Sequence, residues 1–328
     1  MAHGTIDHVI VHGRLLEGNL EGDSPDREVT VYLPPSYNTA ADRRYPVIYL
    51  LHGFTGSEKA WFAGPDPRRH LDAILDRAIS SGAAREMIVV APNAHTRFGG
   101  SFYSQSVTTG DWEGFIASDL VSYIDGHYRT LASASSRGLA GHSMGGYGTL
   151  RVGFRHPEVF SSVYAMSPCC VMWGGDMAAT GRSKGHPEAI HTVAQISHAD
   201  FWTLGTLAIS AAWSPDPKAP PFYLDLPVRR GLPQSSVLAK WSANMPGATF
   251  DQDIEQLRKL HAIAFDVGTR DEFTHIPPGA RLLDAELTRY GIAHTFETYD
   301  GTHSSRVPER IEEKLLPFFS RNLEFTPR

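Results

Sequence analysis

Leu139-Ala140-Gly141-His142-Ser143-Met144-Gly145-Gly146-Tyr147-Gly148-Thr149-Leu150-Arg151-Val152 is the stretch that decides the fold of this chain. Leu139-Ala140 has the character of the end of a buried strand, and Gly146 to Val152 that of the start of a helix. Between them the pattern G-x-S-x-G predicts a sharp turn that holds the serine hydroxyl above the sheet. Glycines two residues either side of Ser143 let strand and helix approach closely at that corner. The helix start also leaves backbone N–H groups free to meet a developing negative charge. Five residues of this kind are common, and a small-residue turn without chemistry would be spelled the same way. The flanking sequence has to decide.

Upstream, Tyr45-Pro46-Val47-Ile48-Tyr49-Leu50-Leu51-His52-Gly53-Phe54-Thr55-Gly56 opens as a continuous apolar run and breaks into a glycine-containing loop. The run predicts a strand covered on both faces. The loop would lie beside the serine turn, so the candidate oxyanion donors are the backbone N–H groups of Phe54 and Met144. Downstream, Ala262 to Val267 predicts a strand that enters the polar turn Gly268-Thr269-Arg270-Asp271-Glu272. Asp271 is the candidate orienting acid. Asp266, inside the strand, is its rival, and Glu272 a weaker one. Ile292 to Tyr299 predicts a further strand, Asp300-Gly301 a turn, and His303 falls on the loop before a helix near Pro308. His294 sits mid-strand on this reading and is taken as structural. The chain order Ser143, Asp271, His303 is the order found where a serine on a strand–turn–helix corner is served by a later acid and a still later histidine.

The remaining pattern places these pieces. Arg27 to Leu33 alternates as a half-exposed strand does, and an earlier strand is expected over Ile6 to Leu16. Leu71, Ile74, Leu75, Ala78 and Ile79 recur at helical spacing before Gly82, and Met87 to Ala91 is a short buried strand. Trp112, Phe115, Ile116, Leu120, Tyr123 and Ile124 mark one helix face, and Val159 to Met166 another strand. Strands alternating with helices predict an α/β fold with a mostly parallel central sheet and helices on both faces. Right-handed crossovers then collect the loops after the strands along one edge. Residues 171–250, rich in Pro, Gly and Trp, break the rhythm and are read as a lid-like insertion over that edge, within a single domain spanning 1–328. Phe102, Trp112 and Trp213 are the candidate substrate-binding residues. Trp61, Phe62, Phe98, Tyr103, Trp173 and Trp202 fall near the same edge.

Composition narrows the partners. The 328 residues carry a formal net charge of −6, with no long basic run to meet a nucleic acid and no apolar stretch long enough for a membrane span. Met1 to Asp7 has no basic segment followed by an apolar one, so a cytoplasmic location is expected. Cys169 and Cys170 are the only cysteines. Sequence neighbours rarely make an unstrained disulfide, and two thiols are too few for a zinc site. They are read as buried thiols after a core strand. No metal and no organic cofactor is expected.

Taken together, Val31-Tyr32-Leu33-Pro34-Pro35, Tyr49 to Gly53, Gly141 to Gly148, Gly268 to Asp271 and the loop at His303 resemble the esterase D family of serine hydrolases. That family includes S-formylglutathione hydrolases, feruloyl esterases and antigen 85 mycolyltransferases. The resemblance implies an α/β-hydrolase fold and a Ser143–Asp271–His303 triad that cleaves small acyl or aryl esters through an acyl-enzyme, with no cofactor. It also implies a capacity to form a homo-oligomer. Tyr147 departs from the formylglutathione hydrolases, which usually carry His there. Acyl transfer to an alcohol or sugar would use the same three residues. A catalytically silent hydrolase fold used for binding is the reading from another class, and the ordered Ser, Asp and His argue against it.

Overall fold

In the computed structural model, which describes residues 3–177 and 185–326, the apolar run Val47–Leu51 forms β3, and every residue in it is buried. Its side chains alternate between two cores. Val47, Tyr49 and Leu51 join one, Ile48 and Leu50 the other. A strand of period two can be apolar throughout only if both faces are covered.

Around it lie β1 (Thr5–His12), β2 (Asp26–Leu33), β4 (Ile88–Pro92), β5 (Arg137–His142), β6 (Ser162–Met166), β7 (Ala262–Gly268) and β8 (Thr295–Tyr299). They form one sheet in the order β1-β2-β4-β3-β5-β6-β7-β8. The β1/β2 and β2/β4 pairs are antiparallel, and β4 through β8 are parallel. One face carries α1 (Leu71–Ser80) and the C-terminal helical run from Val307 to Asn322. The other carries α2 (Met144–Arg155), which follows β5, and α3 (Ile276–Arg289), which follows β7.

Four elements differ from the sequence reading. The first strand stops at His12, and a tight 3-10 turn takes over at Arg14–Leu16. The strand before Cys169 begins at Ser162 instead of Val159, because the amides of Val159 and Phe160 both turn back onto the His156 carbonyl. His294 precedes β8 and is held by Asp284 at 2.9 Å. The helix predicted from Trp112 runs to His127, but its middle, Phe115–Leu120, is a wide π segment.

The excursion begun at residue 171 contains α4 (Phe201–Trp213) and α5 (Ser235–Asn244). Residues 178–184 of it lie outside the described residues. Asp200 caps α4, its Oδ1 accepting from the amides of Trp202 and Thr203. Among the described residues, no helix is long and apolar enough to cross a membrane.

Candidate active site

Ser143 stands between β5 and α2 with φ 59° and ψ −116°, a conformation L-residues avoid. The surroundings impose it. A Cβ on Gly145 would lie 2.0 Å from the Leu51 carbonyl oxygen, and one on Gly141 would lie 2.3 Å from the Gly145 oxygen. Only glycine allows α2 to start this close to β3. The Ser143 amide is tied to the Met166 carbonyl at 3.0 Å, and its carbonyl accepts from Tyr147 and Cys169. Every backbone group of the serine is therefore anchored while its side chain lines a cavity.

The β7–α3 and β8 loops bring the acid and the base together. His303 Nδ1 lies 2.8 Å from Asp271 Oδ2, and both side chains are buried. The other Asp271 oxygen accepts from the Phe273 amide at 3.0 Å. Glu272 accepts from the His303 amide at 3.0 Å, so the weaker rival acid clamps the loop that carries the imidazole. Asp266 sits elsewhere. Its Oδ2 accepts from Arg310 Nε at 2.8 Å and from the Tyr164 hydroxyl at 2.7 Å, below the sheet edge.

His142, the residue before the serine, docks the histidine loop. Its Nε2 donates to the His303 carbonyl at 2.8 Å, and the two rings are 4.6 Å apart. Burial, then the charge of His303, pushes His142 down to about 3, so it is a neutral donor at physiological pH. Phe273, which lines the cavity with Ser143, packs edge-on against His303 at 4.6 Å. Among the described residues the Ser143 hydroxyl makes no side-chain hydrogen bond to its own helix start.

The two proposed amide donors have different supports. Met144 is the first residue of α2, where an N–H has no partner within the helix. Phe54 is aimed indirectly. His52 Nε2 accepts from the Ala94 amide at 2.8 Å, which leaves Nδ1 to donate to the Gly53 carbonyl at 2.8 Å. The Gly56 amide binds the same carbonyl at 3.1 Å. The peptide unit is planar and trans, so the Phe54 N–H points the opposite way. A Cβ on Gly53 would lie 3.4 Å from Ser143 Cβ, which places this loop against the serine.

The cavity beside Ser143 encloses about 140 Å³, the scale that accommodates a single benzene-sized ring. Phe54, Phe102, Phe201, Trp202, Trp241 and Phe273 are among the residues of its apolar wall. Phe102 therefore lies where the sequence placed it, whereas Trp112 and Trp213 do not. Trp112 is buried against Phe115 with its indole N–H on the Thr109 carbonyl. Trp213 lies behind the wall, packed on Phe102, Tyr147 and Trp241, and donates to Ser104. Both point inward because each indole N–H finds its partner within the core.

A family model named Esterase matches residues 24–307. The chain belongs to this esterase family. Esterase Rv1288 of Mycobacterium tuberculosis is 32% identical over 140 residues, 42% of this chain and 28% of that protein. An endo-1,4-beta-xylanase/feruloyl esterase of Xylanibacter ruminicola is 32% identical over 161 residues, 46% of this chain and 21% of that protein. The chain thus spans less than a third of the length of these curated relatives. Among solved structures, a ferulic acid esterase superposes with a TM-score of 0.67 at 23% identity, over 98% of this chain and 100% of that one. An S-formylglutathione hydrolase from Agrobacterium tumefaciens gives 0.63 at 16% identity, over 99% and 97%. These likenesses show the α/β-hydrolase fold.

Three residues of this site take positioning roles that the sequence does not signal. His52, His142 and Glu272 act by positioning a loop, and nothing in their spacing announces that. Among the described residues, no group of three or more His, Cys, Asp or Glu is arranged to hold a metal ion.

Proposed function

We propose that this chain is a serine carboxylesterase whose triad is Ser143, His303 and Asp271, and that it takes esters whose acyl part carries an aromatic ring. The observation that carries this reading is the buried His303–Asp271 hydrogen bond on a loop that His142 ties to the turn whose serine lines an aromatic cavity. In this mechanism substrate brings the hydroxyl and imidazole to hydrogen-bond distance, a contact often loose in a free enzyme. Ser143 Oγ attacks the ester carbonyl while His303 Nε2 takes its proton. Asp271 fixes the tautomer with the proton on Nδ1 and stabilises the imidazolium. The Phe54 and Met144 amides receive the oxyanion, each worth about 3–4 kcal/mol of transition-state stabilisation. His303 then protonates the leaving alcohol, and water repeats the sequence to release the acid.

The aromatic preference rests on the cavity's size and lining, and the relative named as a feruloyl esterase is in keeping with it. The test is a panel of p-nitrophenyl esters sharing one leaving group, run beside folded Ser143→Ala. Burying a ring should raise kcat/KM for the aryl-acyl member roughly tenfold or more over acetate. Equal values across the panel would remove the aromatic pocket. Undiminished turnover by Ser143→Ala would remove the triad.

A further inference from the structure

The cavity wall holds a second set of reactive groups that ester cleavage does not use. Cys169 and Cys170 are buried and line the cavity together with Ser143. A left-handed backbone at Cys170, φ 61°, folds the two side chains onto each other, with the Cys170 sulfur against that of Cys169. His275 stands beside them. Its Nδ1 lies 2.6 Å from Asp176 Oδ1, and the same oxygen accepts the His275 amide at 3.0 Å. The residue is 6% exposed, and its Nε2 is buried with no hydrogen-bond partner of good geometry, with the Cys169 thiol beside it. An acid fixes an imidazole, and the imidazole faces a thiol: the arrangement that activates a sulfur nucleophile.

We propose that Cys169 and Cys170, set beside the His275–Asp176 pair, form a hydroperoxide-reactive dithiol in the wall of the acyl cavity. Two electrostatic effects support the geometry. Burial lowers His275, but Asp176 and Cys169 outweigh it and raise the imidazole to about 9, so it is a cation at neutral pH. Burial raises the Cys169 thiol, but Cys170, His275 and His303 together bring it below its ordinary value, while Cys170 is held well above its own. Of the two sulfurs, Cys169 is therefore the one that ionises near neutral pH, and Cys170 keeps its proton.

The chemistry balances with the hydroperoxide as oxidant. The Cys169 thiolate attacks the terminal peroxide oxygen, the O–O bond breaks, and hydroxide (from hydrogen peroxide) or alkoxide (from an organic hydroperoxide) leaves as the sulfur becomes a sulfenic acid. The Cys170 sulfur then attacks Cys169, its proton leaving with the sulfenic oxygen as water, and a disulfide forms. A ring closed between sequence neighbours is strained, and strained disulfides are the readily reduced ones. The site is therefore reversible.

The test treats wild-type protein with hydrogen peroxide at neutral pH and follows the peptide holding Cys169 and Cys170 by mass spectrometry. It reads mass and not ester turnover, so its outcome is independent of the serine mechanism. The peptide is expected to lose two hydrogens about tenfold faster in the folded protein than in the urea-unfolded chain, and to regain them with dithiothreitol. In Cys170→Ser, dimedone should trap a sulfenic acid at Cys169. His275→Gln should return the rate to that of the unfolded chain or below. Folded wild-type protein reacting no faster than the unfolded chain overturns the proposal, and so does an unchanged rate in folded His275→Gln.

Discussion

Gly145→Ala tests the claim that backbone proximity, and not the proposed triad alone, builds this site. The added methyl would sit 2.0 Å from the Leu51 oxygen, 2.5 Å from its carbonyl carbon and 2.9 Å from the His52 oxygen. The first of these lies more than an ångström inside ordinary contact distance. All three are main-chain atoms of β3 and its following loop, so no rotamer change relieves them. The start of α2 must move off the sheet, carrying the Met144 amide away from the Phe54 amide. Overpacking of this kind costs about 1–3 kcal/mol of stability. Misplacing one oxyanion donor costs about 10²–10³ in kcat. Gly126→Ala is the matched control. Gly126 is helical, and its added Cβ would meet nothing within 4 Å. There the substitution should stabilise by about 0.5–1 kcal/mol, since alanine loses less backbone freedom on folding. The assays are thermal melting and p-nitrophenyl ester turnover on both variants. A Gly145→Ala protein with wild-type melting and wild-type kcat would refute the reasoning.

Three carboxylates give further expected outcomes. Asp271→Asn should lower kcat by roughly 10⁴ with little loss of stability, because the amide no longer holds the productive His303 tautomer. Asp266→Asn should do the reverse, since it leaves Arg310 buried with less compensation, at about 3–5 kcal/mol, while activity per folded molecule persists. Melting and active-site-titrated kcat separate them, and a swap of the two phenotypes would reassign the acid. Glu113 binds Arg151 at 2.8 Å, Arg155 at 3.2 Å and His156 at 3.2 Å. Burial raises this carboxyl, but those partners outweigh it and hold it at about 2. A depressed folded-state value stabilises above the ordinary carboxyl range near 4.5 and is lost as pH falls towards 2. Glu113→Gln should therefore cost on the order of 3 kcal/mol at pH 7, with the gap to wild type closing in acid. A gap that stays constant across denaturant melts from pH 7 to pH 3 would refute the linkage.

The order Ser143, Asp271, His303, the strand that becomes β3 and the serine turn could all be read from the sequence because each is a local pattern. An apolar run, a glycine pair and a polar turn are fixed by residues a few positions apart, and backbone sterics give them few conformations. Which acid meets His303 was not local. Asp266 and Asp271 lie on the same strand and its turn, and only the register of β7 against β6 and β8 sends one to Arg310 and the other to the imidazole. The aromatic wall was harder still, for nothing in the sequence around Trp112, Trp213 and Phe102 says which way packing turns each ring. Cys169 and His275 are more than a hundred residues apart, and nothing in either segment refers to the other. Their meeting belongs to the tertiary structure, because side-chain direction at a shared sheet edge is set by the elements packed around it and not by the sequence beside it.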